Sequence, residues 1–353
     1  MRIFMITRII DSLCYRKRKY YSKFSESYWK VINKFLVSDK RNTDRKKILF
    51  VFVPMWGSQY VDLFFEYTMP SLMQSKNFPD ISSNNKRIII CFYTKSIDAE
   101  LIKRKMNNYN CGYEYKIYND YYFKDLGRGL MLNFFIHMLE KCVSNNALML
   151  LALPDFIYSN GSISNLFKLS DGKGVSVAVP HPRVSYECIE EGKINIKNLL
   201  KSGISSSMLV KMAGQCKHSS FSFSDELMDK NSTSDGISTR KLNYNCLAVT
   251  HNLPNVCLLS PIKDDVSFFK RRISFNDIDH LWPNMLLRQS RLKVVGSSNI
   301  AFMIELTYDN DKIPKLRSDN KFNDQYDGVR PFCNYANTIV SSWDLCEKGE
   351  VNL

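Results

Sequence analysis

The chain has 353 residues, 44% of them hydrophobic and 13% aromatic, which suits one large domain or two ordinary ones and excludes a disordered polymer. Its net charge of +14 is uneven: residues 1–47 hold 14 Lys and Arg against 4 Asp and Glu, a net of +10, which leaves +4 for the rest. No run reaches about 18 apolar residues, so no membrane-crossing helix is expected.

The basic segment comes first. Ile3, Phe4, Ile6, Ile9, Ile10 and Leu13 recur at roughly helical spacing, and Arg16-Lys17-Arg18-Lys19 follows. A second apolar stripe, Tyr28, Trp29, Val31, Ile32, Phe35 and Leu36, alternates with Lys23, Lys30 and Lys34. Basic helices with an aromatic face lie well on anionic membrane surfaces. A helix packed on the body and a nucleic-acid arm are the alternatives. A secretory signal is not expected, because Arg8 interrupts the apolar stretch and no small-residue cleavage site follows. The nearly neutral body argues against a broad phosphate-binding surface, so no nucleic-acid partner is expected.

After a polar hinge at 41–47, Ile48 to Val53 reads as a buried strand stopped by Pro54. The turn Pro54-Met55-Trp56-Gly57 leads into a helix over 58–73, with Ser58 as N-cap. A helix N-terminus after a strand suits anions. A loop is expected over 79–86, a strand over 87–93, a helix over 96–108, a strand over 113–118 and a helix over 129–142. The stretch from Ala147 to Leu153 reads as a fourth buried strand, ending at Pro154-Asp155 and followed by the polar turn Ser159-Asn160-Gly161-Ser162. A helix over 163–169 and a strand over 174–179 complete the alternation, and His181-Pro182-Arg183 follows. This order predicts an α/β fold with a mainly parallel sheet flanked by helices.

Further on the pattern loosens. A helix is expected over 202–216, a Ser- and Asp-rich loop or lid over 219–239, and short strands over 244–250 and 256–259. The segment 273–291 carries Asp277, Asp279, His280 and Trp282, and 292–295 and 302–306 are again apolar. The last forty or so residues are polar and weakly patterned. The ten cysteines show no C-x-x-C spacing, and in their apolar contexts they read as reduced core residues of a cytosolic protein. The domain boundaries read from this pass are 1–46 for a basic amphipathic helical extension, 47–310 for the α/β body and 311–353 for a polar tail.

Several familiar chemistries have no motif here: no G-x-G-x-x-G, no G-x-x-x-x-G-K-[ST], no H-E-x-x-H and no G-x-S-x-G. What remains is a set of residues at strand ends: Trp56 and Gly57, Tyr93, Asp155, His181 and Arg183. In a parallel sheet such ends share one edge. An aromatic ring, a carboxylate and cations there suit a sugar nucleotide, the ring stacking on the base and the cations meeting the phosphates. The structural alternatives are a core aromatic for Trp56, a helix-capping residue for Asp155 and a strand-end loop residue for His181.

Over about 46–310 the chain resembles bacterial glycosyltransferases of the GT-A nucleotide-sugar-binding fold, encoded with surface-polysaccharide (O-antigen, lipopolysaccharide or capsule) genes. The residues that carry the resemblance are Val-Pro-Met-Trp-Gly-Ser-Gln-Tyr at 53–60, Met-Pro-Ser-Leu at 69–72 and Pro-Asp-Phe-Ile-Tyr-Ser-Asn-Gly-Ser at 154–162. Leu-Leu-Ser-Pro-Ile at 258–262, Phe-Asn-Asp-Ile-Asp-His at 275–280 and Ser-Ser-Asn-Ile-Ala-Phe-Met-Ile-Glu-Leu at 297–306 follow. The resemblance implies a nucleotide-sugar donor bound by Pro54, Trp56, Gly57, Tyr93, Asp155, His181 and Arg183. It implies a lipid-linked or oligosaccharide acceptor, and work at the inner face of the cell membrane, held peripherally through residues 1–47.

Such enzymes commonly hold Mn or Mg with Asp-x-Asp. Here Asp155-Phe156-Ile157 has one carboxylate, so Asp155 either shares a cation with phosphates and water or binds a donor hydroxyl while Lys or Arg neutralises the diphosphate. An inverting transfer needs a base on the acceptor hydroxyl, and a retaining one need not. Asp279 and Glu305 are the candidates for the catalytic carboxylate, with Asp277 and His280 beside the first. Asp279 could instead cap a helix, and Glu305, in an apolar strand, is either paired structurally or functional. The single carboxylate at 155 also leaves open a non-catalytic, membrane-associated assembly protein of the same fold.

Overall fold

The structure, a computed structural model, describes residues 47–109, 111–123, 129–193, 195–216, 218, 237–243, 246–251, 256–270, 281–308 and 339–344. All belong to one of the two units into which the chain divides, Asn42–Ile313 with Thr338–Leu353. The basic extension at 1–46, the pair Asp277 and Asp279, His280, and most of the 311–353 tail lie outside the described residues.

Seven strands form the main sheet: β1 (Ile48–Pro54), β2 (Arg87–Thr94), β3 (Glu114–Asn119), β4 (Leu148–Leu151), β6 (Ser176–Ala178), β10 (Val256–Leu259) and β11 (Leu292–Val294). Their order is β11-β6-β10-β4-β1-β2-β3. All run parallel except β10, which is antiparallel to both of its neighbours, β4 and β6. The expected mainly parallel α/β sheet is therefore observed, with one reversed strand inside it. Covered on both faces, β1 and β2 need apolar residues at every position, hence the runs Leu-Phe-Val-Phe-Val and Ile-Ile-Ile-Cys-Phe. The edge strand β3 is only partly buried and carries Glu114 and Lys116, which discourage further strand pairing.

Alternate residues of the sheet feed two cores. One face, with Val51, Val53, Ile90 and Phe92, packs against the helices of 58–72 and 96–109 and the later helix Ser162–Ser170. The other, with Phe52, Cys91, Tyr93 and Met149, packs against the helix Leu130–Ser144 and against Phe269, Trp282 and Leu286. Each such fully buried side chain contributes about 1.5–3 kcal/mol.

The helix expected over 58–73 is present, but it is broken by a π-helical turn, Phe64–Thr68, between Ser58–Leu63 and Met69–Leu72. The expected loop over 79–86 is instead the short helix Phe78–Ser83, opened by Pro79 in its first turn.

A second, three-stranded sheet was not legible. It has the order β5-β12-β7, from Phe156–Tyr158, Met303–Thr307 and Arg183–Ser185. Its outer face packs Ile157, Val184, Ile304 and Leu306 against the helices Ile196–Ser202 and Ser206–Gln215. A third sheet joins β8 (Ile237–Asn243), β9 (Cys246–His251) and β13 (Ile339–Asp344). The expected polar loop thus gives way to strand at Ile237, and the weakly patterned tail contains one strand.

The cysteine expectation needs one correction. Cys91, Cys142 and Cys257 are buried thiols outside any disulfide, as expected, but Cys188 and Cys216 form a disulfide. Their 28-residue separation carries no spacing signal. Among the described residues no helix is long and apolar enough to cross a membrane.

Candidate functional site

The strand order reverses direction at β1. From β1 the chain moves outward to β2 and β3, then returns to place β4 on the other side of β1. The helices that follow β1 and β4 both pack on the Val51 face of the sheet, and the carboxyl ends of these two neighbouring strands form the kind of edge at which open α/β sheets bind ligands. Trp56 and Gly57 leave β1 at this point, and Pro154-Asp155 follow β4. The ends of β2 and β6, with Tyr93 and His181, lie on the same edge because these strands share the direction of β1 and β4.

The β1 turn is fixed by groups the sequence reading passed over. Gly57 has φ 88°, a left-handed conformation that a side chain disfavours. Its N–H donates to Asp98 Oδ2 at 2.8 Å, and its carbonyl accepts from Tyr60 and Val61. Asp98, only 8% exposed, thereby brings a carboxylate to the start of the first helix. An anion expected there meets an acidic neighbour. Pro54 is buried at the end of β1, opposite Tyr93. Trp56 is half-buried and packs on the Phe52 face of the sheet, not under the first helix.

Tyr93 corrects the sequence reading. It is fully buried, its ring stacks on Tyr118 at 4.9 Å, and its hydroxyl lies 2.8 Å from His137 Nδ1. Burial pushes the phenol far above its ordinary value. This is a core tyrosine with no face for a ligand.

Asp155 is held by its backbone. Its carbonyl accepts Leu306 N–H at 2.8 Å, and the preceding Pro154 carbonyl accepts the buried Thr68 hydroxyl at 2.7 Å. The turn after β5 is clamped as well: Asn77 Oδ1 accepts the N–H groups of Gly161 and Ile163, and its amide donates to Ser71 and Ser159 carbonyls. Gly161, at φ 98°, makes that turn possible. The Ser-Asn-Gly-Ser motif is thus a structural clamp on the strand that follows Asp155.

His181, Arg183 and Glu305 converge. In the second sheet Glu305 stands in register with Phe156 on one side and Arg183 on the other. Arg183 Nε donates to Glu305 Oε1 at 3.0 Å, and His181 Nε2 lies 3.4 Å from Oε2. His181 also sits edge-on to the Phe156 ring at 5.1 Å, with Nδ1 3.1 Å from the Val179 carbonyl. Burial alone would raise the Glu305 carboxyl, but the His181 hydrogen bond and the Arg183 charge outweigh it and hold the group below its ordinary value. A carboxylate so paired is a poor proton acceptor. Of the two roles open to Glu305, the structure favours pairing over general base.

The pairing has a pH signature. A depressed carboxyl contributes stability that is fully present above its ordinary value of 4.5 and is lost as pH falls through the lower folded value. Glu305→Gln is expected to cost about 2 kcal/mol at neutral pH, from loss of charge-assisted hydrogen bonds. Chemical denaturation across pH should show that difference shrinking below pH 4.5. A pH-independent difference would contradict the pairing.

Among the described residues no group of three or more His, Cys, Asp or Glu side chains could hold a divalent cation. Glu305, the carboxylate nearest in sequence register, already faces a guanidinium and an imidazole. Asp279 lies outside the described residues.

A surface depression of about 460 Å³ opens elsewhere, lined by Lys86, Arg87, Cys111 and Tyr113. It sits at the amino ends of β2 and β3, where Arg87 pairs with Glu114 and Lys86 with Asp171. It lies at the opposite end of these strands from Trp56-Gly57 and Asp155. No protein-family model matches the chain, and no curated protein matches it significantly.

Proposed function

We propose that the chain is a glycosyltransferase that moves a sugar from a nucleotide-sugar donor to a growing bacterial surface glycan, lipid-linked, at the inner face of the cell membrane. The observation that supports this reading is that β1 and β4 are parallel neighbours, so Trp56-Gly57 and Pro154-Asp155 leave the sheet at the same edge. In this reading Asp155 accepts hydrogen bonds from donor hydroxyls. Arg183, with the exposed Lys95 at the end of β2, faces the diphosphate without a resident metal. Glu305 keeps Arg183 oriented and is not the base. Trp56, half-buried, offers its ring edge to the nucleotide.

The reaction balances simply. The acceptor hydroxyl oxygen bonds to the anomeric carbon, the bond from that carbon to the diphosphate oxygen breaks, and the nucleoside diphosphate leaves. In an inverting course the hydroxyl proton passes to a carboxylate, for which Asp279 in the Phe-Asn-Asp-Ile-Asp-His segment is the proposed base. The basic residues 1–47 supply the attraction to anionic lipid.

The pairing of Glu305 favours a second reading, the non-catalytic assembly protein, because it withdraws one of two candidate bases. Calorimetric titration with UDP-, GDP-, dTDP- and CMP-sugars, with and without manganese, separates the two. Binding of one class without manganese is the expected result. No binding to any of them removes the glycosyltransferase.

A further inference from the structure

The one disulfide among the described residues lies against the Arg183 strand. Cys188 ends the short helix Tyr186–Cys188 that follows β7, and Cys216 caps the end of the helix Ser206–Gln215. Ser185 N–H donates to the Cys216 carbonyl at 2.9 Å, and His218 N–H donates to the Arg183 carbonyl at 3.4 Å. These two bonds pair the chain after Cys216 with β7 in the antiparallel sense, on the side away from β12. Arg183 is therefore flanked by Glu305 on one strand and by this short segment on the other. His218 Nε2 adds a contact to the Tyr308 carbonyl at 3.2 Å, just past the end of β12.

Two main-chain bonds, one of them long, hold little on their own. The sulfur bridge adds a covalent link from Cys216 to the short helix that follows β7, beside the apolar packing of Met212 and Ala213 in the same core as Val184. The other characterised thiols differ: burial pushes those of Cys91 and Cys257 up to about 12, so they stay protonated and unreactive at neutral pH. Cys188 is partly exposed, whereas Cys216 is 1% exposed. In a reducing compartment, a disulfide that persists near a site is usually a redox device, not a staple.

We propose that the Cys188–Cys216 disulfide is a reversible redox brace on the Arg183 strand, opened by a dithiol reductant. The reductant's thiolate attacks Cys188 Sγ. The Sγ–Sγ bond breaks, a mixed disulfide forms, and Cys216 leaves as a thiolate that takes up a proton. The reductant's second thiol then displaces Cys188, so that two electrons pass to the protein and the reductant ends as its own disulfide. Opening frees the segment after Cys216 from β7, and Arg183 loses the backing on that side. The consequence for donor binding, a weakened grip on the diphosphate in the reduced form, rests on the reading of the site given above. The brace itself does not.

Hydrogen exchange on the full chain tests it, without any donor present. Reduction by dithiothreitol is expected to speed exchange at the Ser185 and His218 amides about tenfold or more, with β1 and β2 unchanged. Reoxidation should restore the original rates. The variant Cys188→Ser with Cys216→Ser should match the reduced form whether or not reductant is added. Three results would overturn the proposal: both thiols free in protein purified without reductant, no change in exchange on reduction, or a uniform rise that includes β1 and β2.

Discussion

Asp155→Asn is expected to leave the fold intact and to lower kcat/KM for the bound sugar nucleotide by about 10- to 100-fold. The arithmetic is that of one charge-assisted hydrogen bond to a donor hydroxyl, about 1.5–3 kcal/mol, at about 1.4 kcal/mol per tenfold. The substitution keeps the shape of the side chain, and the backbone bond from Leu306 N–H to the 155 carbonyl does not depend on it. A fall in activity with an unchanged denaturation midpoint is the signature of a binding residue. Unchanged turnover would make Asp155 a turn residue and return the chain to the assembly reading. Loss of the folded state would make it structural.

The largest effect on stability is expected at the other end of the sheet. Asp265 is fully buried and Arg291 is 4% exposed. Asp265 Oδ2 accepts from Arg291 Nη2 at 2.7 Å and from Ile262 N–H at 2.9 Å, and Oδ1 accepts from Arg291 Nη1 at 3.1 Å and Trp282 Nε1 at 3.2 Å. Arg291 also donates to the Ser260 carbonyl at 3.1 Å. One carboxylate thereby ties the end of β10, the helix Lys263–Lys270, Trp282 and the start of β11. Asp265→Ala leaves a guanidinium buried without its counter-charge, which costs about 3–5 kcal/mol. Replacing both members, Asp265→Leu with Arg291→Met, is expected to recover a good part of that loss, because neither charge then remains to be desolvated. Urea denaturation of Asp265→Leu, Arg291→Met and the double variant gives the coupling directly. Additive losses would contradict the ion pair as the fastening element.

What the sequence made legible follows from periodicity. In the alternating half β1, β2 and β4 are continuous apolar runs bounded by turn residues, because both faces of a parallel sheet are covered, whereas the edge strand β3 alternates. That pattern located β1, β2, β4 and the partly buried β3 to within a few residues. The short strands were a different matter. Phe156–Tyr158 and Arg183–Ser185 are three residues each, too short to show a period, and they are strands only because Met303–Thr307 arrives from far along the chain to lie between them. The same long-range pairing brings Glu305 to Arg183 and His181, so the convergence could not be read locally.

Glu305 did leave a trace, as a lone carboxylate in an apolar run that had to have a partner. Asp98 left a weaker one, as an acid in the first turn of a helix. Tyr93 misled because a strand-end aromatic can point either toward the sheet edge or into the core, and alternation along β2 puts it with Phe52 and Phe134. The disulfide left nothing to read, since its two cysteines are joined by packing of elements distant in sequence.

The central claim is the place of the donor: the carboxyl ends of β1 and β4. It is tested most directly by photocrosslinking with an azido analogue of whichever nucleotide-sugar binds tightest, followed by peptide mapping. The expected labels fall in the turn after β1, around Trp56 and Gly57, and in the segments that hold Asp155 and Arg183, and excess unlabelled donor should remove them. Labels confined to the depression at the amino ends of β2 and β3, around Arg87 and Tyr113, would contradict the account.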